Sequence, residues 1–446
     1  MLVEHWTSAT PRLRGEIHSL PTMIDLRPFR ALHYDAARVG ALADVIAPPY
    51  DVIDDAQLDR LYARSPFNVV RLILNRSADR YAAAAAALAD WQQRGVLVHD
   101  EAPALYYYVQ DFCLSDGSAR QRSGLMAAVR LEPFAAGNIL PHERTFPSAK
   151  ADRLKLLSAC RANLSPIFGV YPDRGEALAP ARRHADAEPA WIDVSDGGER
   201  HRVWRISDPS AVDAIVAGLR EATVFIADGH HRYETALTYR DQRRAAGEHS
   251  PDAPHDFLLM YLCAMDDPGL VVLPTHRVWR GPLLSDWLAR IEEHFEMDVV
   301  PATEVFARLA RATDPGALAL HRSEATHLLR LRAGAQNAVD RLFSDVHPVV
   351  RKLDVSILDA FLLGHVLGID CARAGQDGLL AYTHDDGHAL ETVDRADAAA
   401  AFLLRAPRMR EVEAACRAGQ TMPQKSTYFF PKLQTGLVFR TLDADG

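Results

Sequence analysis

Residues 224–234 read Val224-Phe-Ile-Ala-Asp228-Gly229-His230-His231-Arg232-Tyr233-Glu234. The opening Val-Phe-Ile-Ala has the composition of a buried strand. It runs directly into Asp-Gly, and the residues from there to about position 244 have the composition of a helix. A strand feeding straight into a helix is a unit of mixed α/β folds, the class expected for this chain. The same turn has chemical potential. The first N–H groups of a helix have no partner within it and the dipole is positive there, so phosphate is attracted. Gly229 lets the backbone approach closely. Arg232 can fork two phosphate oxygens, and Asp228 can cap the helix or hold a magnesium ion. A capped turn carrying two solvent-facing histidines accounts for the same residues.

Two further segments carry chemistry. Upstream lies Pro141-His142-Glu143-Arg144-Thr145, followed by Lys150, Asp152 and Arg153. A glutamate in a loop beside cations can act as general base for a hydroxyl, although a solvated loop before a helix explains it too. The spacing is not H-E-x-x-H, which excludes a zincin. Downstream, Met422-Pro423-Gln424-Lys425-Ser426-Thr427-Tyr428-Phe429-Phe430-Pro431-Lys432 gathers an ammonium, two hydroxyls and several backbone N–H groups at residues 425–427. These are the parts of a phosphate cradle without the glycines of a Walker A loop. The bland alternative is a turn entering an aromatic-rich edge strand.

Around these segments the pattern predicts helices over 55–63, 81–94, 284–296, 303–312, 352–368 and 396–418. One more amphipathic helix has a stripe of Leu154, Leu157 and Leu164. Strands are expected over 69–74, 105–112, 124–131, 167–171, 270–273, 326–332 and 435–440. Residues 173–189 read as a surface excursion and 245–255 as a linker. The expected division is a disordered extension at 1–23, an N-terminal region plus core over 24–275, and a C-terminal α/β region over 276–446 that contributes the phosphate-binding turn.

At about 150 residues per domain, 446 residues make two to three domains. Hydrophobic content of 48% with 24% charge excludes a disordered, collagen-like or disulfide-stapled chain. A net charge of −9 argues against a general nucleic-acid coat, which needs a basic surface. The five cysteines form no C-x-x-C pair and suit reduced thiols in a cytoplasm. The apolar run at 257–265 is too short for a bilayer, which needs about 20 residues, and the N-terminus lacks the apolar centre of a secretion signal. A cytoplasmic protein without membrane or nucleic-acid partners is therefore expected. Of the 19 histidines, His142, His230 and His231 fall in the segments above.

The chain resembles the DUF1015 family on four segments in order: APPYDVI at 47–53, PHERT at 141–145, IADGHHRYETAL at 226–237 and MPQKSTYFFPKL at 422–433. More distantly it is similar to free-serine kinases of the ParB/sulfiredoxin-like superfamily. The similarity rests on His142-Glu143, then Asp228-Gly229-His230-His231-Arg232, then Pro423-Gln424-Lys425-Ser426-Thr427. That resemblance implies a ParB/sulfiredoxin-like nucleotide-binding core with additional N- and C-terminal regions. It implies transfer of phosphate from ATP or ADP, with Mg²⁺, to the hydroxyl of free L-serine or a similar small metabolite. Glu143 would be the base and Asp228 would be needed for transfer. His142, Gly229, His230, His231, Arg232, Lys425, Ser426 and Thr427 would line the nucleotide phosphates. Gln424 is extra, Ser426 replaces a threonine, an insertion near 173–206 is required, and roughly the first 110 ordered residues have no counterpart. A nucleotide-gated switch of ParB type and a phosphatase of a phosphorylated amino acid are the alternatives. Phosphoryl transfer itself asks chiefly for positioning and positive charge, which these three segments together supply.

Overall fold

The computed structural model describes residues 23–145, 147–173 and 176–443. The extension expected at 1–23 therefore lies outside the described residues, apart from Met23. The chain divides into two units. The described part of the larger covers residues 23–141, 145–271 and 431–443; that of the smaller covers 142–144 and 272–430.

In the larger unit, nine strands among the described residues form one sheet. They are β1 (Leu26–Arg27), β2 (Leu105–Cys113), β3 (Ala119–Arg130), β4 (Ile139–Leu140), β5 (Ile167–Tyr171), β6 (Ile192–Asp196), β7 (Glu199–Ile206), β8 (Val224–Asp228) and β9 (Phe257–Ala264). The spatial order is β4-β8-β5-β9-β3-β2-β7-β6, with β1 also pairing β3. The β4–β8 and β5–β9 pairs are parallel and the rest antiparallel. Leu105, Tyr107 and Val109 of β2 and Leu125, Ala127 and Val129 of β3 share one core with Ile215, Leu219 and Tyr233 from the helices. The alternate residues Tyr106, Tyr108 and Gln110 are buried as well. Burial on both faces explains why β2 and β9 read as continuous apolar runs without alternation.

A second core in this unit joins Leu61, Val69, Leu72 and Trp91 to Leu156 and Cys160 of helix α1 (Pro147–Cys160) and to Phe439. Residues 431–443 return here: Thr435 bridges Ala47, Phe439 bridges Leu32, and Arg440 pairs with Asn163. The strand expected at 69–74 is instead a helical turn, Val70–Ile73. Asn68 decides it. Its Oδ1 accepts the Val70 N–H at 3.1 Å, while its Nδ2 donates to the carbonyls of Asp44 (2.8 Å) and Ile46 (3.1 Å). Burial of Val69, Val70, Leu72 and Ile73 then overrides β propensity. Helix α1 stops at Cys160, before Leu164, because Arg161 takes a left-handed conformation with φ +48°. The excursion at 173–189 contains a helix, Ala179–Ala187.

The smaller unit holds an antiparallel six-stranded sheet: β10 (His276–Trp279), β11 (Phe295–Val300), β12 (Leu318–Arg322), β13 (Ala325–Leu331), β14 (Leu380–Thr383) and β15 (Ala400–Leu404). Its order is β11-β13-β12-β15-β10-β14. Val278, Ala319, Leu328, Ala401 and Leu403 form the core beneath the helices. The helix expected over 396–418 is β15 followed by a helix at Met409–Arg417. Ala400–Leu404 is a central strand buried at every position, and Pro407 separates it from the helix. The whole is mixed α/β, as expected. No helix among the described residues is long and apolar enough to cross a membrane.

Candidate functional site

The residues singled out by sequence fall into two constellations, one in each unit. In the larger unit, β8 ends at Asp228, Gly229 follows with φ +96°, and helix α2 (His230–Ala245) begins at once. A side chain at position 229 would place its Cβ 3.0–3.2 Å from the Arg232 guanidinium. The left-handed backbone favours glycine, and a Cβ there would crowd the Arg232 guanidinium that folds back over the turn. There Arg232 Nη2 donates to Asp228 Oδ2 at 2.7 Å and Nη1 to the Pro166 carbonyl at 2.6 Å. Lys432 Nζ takes the other carboxylate oxygen, Oδ1. Burial alone would raise the Asp228 carboxyl, but the charges of Lys432 and Arg232 outweigh it and hold the group well below the usual carboxylate range. His230 is buried and its charge acts on Asp228 in the same sense; His231 is half-buried.

Two residues of the APPYD segment join this constellation. Asp51 keeps contact with solvent, yet the protein packed round its carboxyl and the negative charge of Asp228 raise it above the ordinary aspartate value, against the pull of Lys432 and Arg232. The Tyr50 ring lies 4.0 Å from the Arg153 guanidinium carbon. Arg153 in turn pairs with Asp152, which accepts from Tyr81 Oη at 2.7 Å. Lys150 pairs with Glu234 at 2.7 Å. Sequence reasoning assigned no role to Asp51, Tyr50 or Lys432. One signal was available for the last: the chain has only five lysines among its 50 cationic residues, and two of them, Lys425 and Lys432, fall in the 422–432 segment.

In the smaller unit, residues 142–144 clasp the 421–427 turn. The Met422 N–H donates to the His142 carbonyl at 2.8 Å, and Arg144 Nε to Thr421 Oγ1 at 3.1 Å. His142 is buried, with Nε2 2.9 Å from Thr427 Oγ1, so it braces the turn. Lys425 adopts φ +56°, and its N–H reaches Glu143 Oε1 at 3.4 Å. Ser426 Oγ bonds the Pro423 carbonyl. Beneath the turn, fully buried Arg277 forms a two-point ion pair with Asp359 (2.9 and 2.7 Å) and donates Nη1 to the Lys425 carbonyl at 3.2 Å. That support holds an unfavourable backbone conformation in place. Arg277 carried no assigned role in the sequence.

The structure thus brings Glu143 and His142 together with Lys425, Ser426 and Thr427, and separately brings Asp228–Arg232 together with Lys432. Magnesium, implied by the kinase resemblance, does not fit Asp228 as a resident ligand. Both of its carboxylate oxygens are engaged by cations. Among the described residues no group of three or more His, Cys, Asp or Glu side chains could hold a metal.

Similarity to solved structures is low. A free serine kinase in complex with AMP has 14% identity and a TM-score of 0.34, covering 68% of this chain and 89% of that one. A variant of the free serine kinase in complex with ADP has 14% identity and a TM-score of 0.34 over 68% and 90%. SbnI with C-terminal truncation, from Staphylococcus aureus, has 12% identity and a TM-score of 0.35 over 72% and 90%. A comparison with curated proteins finds no match. The pattern of one family, described as protein of unknown function (DUF1015), matches residues 26–356, most of the described length, and the chain belongs to that family.

Proposed function

We propose that the protein is a small-molecule kinase, moving phosphate from ATP or ADP to the hydroxyl of free L-serine or a similar metabolite with Glu143 as base. The observation that carries this reading is a carboxylate set against a turn that gathers a lysine and two hydroxyl residues. Glu143 Oε1 accepts the Lys425 N–H, beside the hydroxyls of Ser426 and Thr427. Backbone N–H groups and an ammonium suit phosphate, so an arriving phosphoryl group displaces the carboxylate and leaves it beside the acceptor hydroxyl. The hydroxyl proton passes to Glu143, and the oxygen bonds to the terminal phosphorus. The bond from that phosphorus to its bridging oxygen breaks, releasing ADP or AMP. In the larger unit, Gly229, His230, His231, Arg232 and Lys432, with Asp228 holding the two cations in register, are proposed as phosphate-binding groups of that unit. Magnesium enters with the nucleotide as part of the substrate.

The test is phosphorus NMR of the full chain with Mg²⁺, ATP or ADP, and L-serine. O-phosphoserine should form. Glu143→Gln should lower turnover about 10²–10⁴-fold, the usual contribution of a general base, with nucleotide affinity retained. Nucleotide consumption without a phosphorylated acceptor, together with full activity of Glu143→Gln, would overturn the reading.

A further inference from the structure

A row of three buried polar side chains crosses the sheet of the larger unit. The strand register sets Arg122 of β3 opposite Gln110 of β2, and Gln110 opposite His201 of β7. Cross-strand partners share a face, and none of the three is exposed to solvent. Burying a guanidinium carries a desolvation penalty of several kcal/mol, on the order of what well-packed apolar residues would avoid. The row therefore calls for a purpose other than packing, and its hydrogen bonds indicate one. Arg122 Nη2 donates to Gln110 Oε1 and to the Pro431 carbonyl at 2.6 Å. Its guanidinium carbon lies 4.7 Å from the centre of the Phe168 ring, which leaves it little freedom. Gln110 Nε2 donates to the Lys432 carbonyl at 3.1 Å. Two successive carbonyls are thus fixed from below, and the side chain leaving that anchored backbone is the Lys432 ammonium on Asp228.

We propose that Arg122 and Gln110 are positioning residues that act through the 431–432 backbone to aim Lys432 at Asp228. A lysine side chain has many accessible rotamers, so pinning the backbone at its root narrows where the ammonium can go. The geometry lies wholly within one unit; only its consequence for catalysis rests on the kinase reading above. His201, through Nδ1 at 2.8 Å from Tyr108 Oη, closes the far end of the row.

The experiment uses the full chain carrying Gln110→Leu, which removes both the donor to Lys432 and the acceptor for Arg122. Gln110→Glu, which keeps an acceptor for Arg122, serves if the leucine variant does not fold. Lysine amines are labelled with isotope-coded acetic anhydride and read site by site by mass spectrometry. Lys150, Lys155, Lys352 and Lys425 act as internal references. Lys432 reactivity should rise at least about fivefold, as expected when an ion-paired ammonium is released, with the references unchanged. In parallel, kcat should fall about tenfold with KM for the acceptor unchanged, since a lost positioning contact acts on the transition state. Unchanged Lys432 reactivity in a folded variant overturns the proposal. Raised reactivity with unaltered nucleotide binding and turnover upholds the positioning role and sinks the phosphate-site reading instead.

Discussion

Gly229 and Arg277 show how single residues set each constellation. At Gly229 a Cβ meets the Arg232 guanidinium and the backbone is left-handed. Gly229→Ala should destabilise the protein by roughly 1–3 kcal/mol. It should also displace Arg232 from Asp228, so that, if the proposed phosphate role holds, calorimetric titration shows weaker nucleotide binding alongside a lower Tm. Arg277 is a buried cation whose partner, Asp359, has a side chain only 15% exposed. Arg277→Met alone strands that carboxylate and should remove about 3–5 kcal/mol from urea-denaturation stability, whereas adding Asp359→Leu should restore most of it. Equal loss in the single and double variants would show that stranding Asp359 is not the cause of the loss.

At the scale of elements, the strand–turn–helix at 224–245 was legible because each local signal agreed: apolar strand composition, Asp-Gly, then helix formers. Short apolar runs without such punctuation were not. Residues 69–74 and 400–404 are both largely apolar and five or six residues long, and their composition does not separate the helical one from the strand. Asn68 is the local device in the first case. Asn68→Ala should therefore cost about 1–3 kcal/mol, because it leaves one buried carbonyl, one half-buried carbonyl and one buried N–H without that partner. A thermal scan that finds no loss would mean the turn forms from packing alone. For the site, Glu143, Arg232 and Lys425 could be read as motifs because their chemistry is local. Lys432 on Asp228 could not, since the two are 204 positions apart and meet only through the fold. β6 and β7 also escaped notice, because their exposed charged residues mask the strand pattern at the sheet edge.

The molecule as a whole should show a pH response in which two buried groups oppose each other. Glu199, whose Oε2 lies 3.8 Å from His201 Nε2, is raised by burial from 4.5 to about 7, partly offset by the Arg122 charge and a Gln110 hydrogen bond. His201 is lowered by burial from 6.5 to about 4. A raised carboxyl gives stability that is full below about 4.5 and lost as pH rises through about 7. A depressed histidine gives stability that is full above about 6.5 and lost as pH falls through about 4. Over pH 4.5–6.5 the two trends cancel. His201→Gln should unmask stability that rises on acidification toward pH 4.5, and Glu199→Gln should unmask stability that falls, each by roughly 2–3 kcal/mol. Identical pH profiles of both variants and the parent would refute this. The chain path adds one more expectation. Removing residues 431–446 deletes Lys432, the buried Phe439 and the pairings to Ala47, Leu32 and Asn163. Hydrogen exchange should then show loss of protection in the larger unit at residues 31–47 and 162–163. The same path orders events during synthesis. The smaller unit's 272–430 segment leaves the ribosome before the residues that complete the larger one. At about 5–20 residues per second, Asp228 waits roughly 10–40 s for Lys432. A nascent chain that stalls before position 432 carries the Arg232 half of this charge cluster without the other, so the site assembles only on chains translated beyond that point.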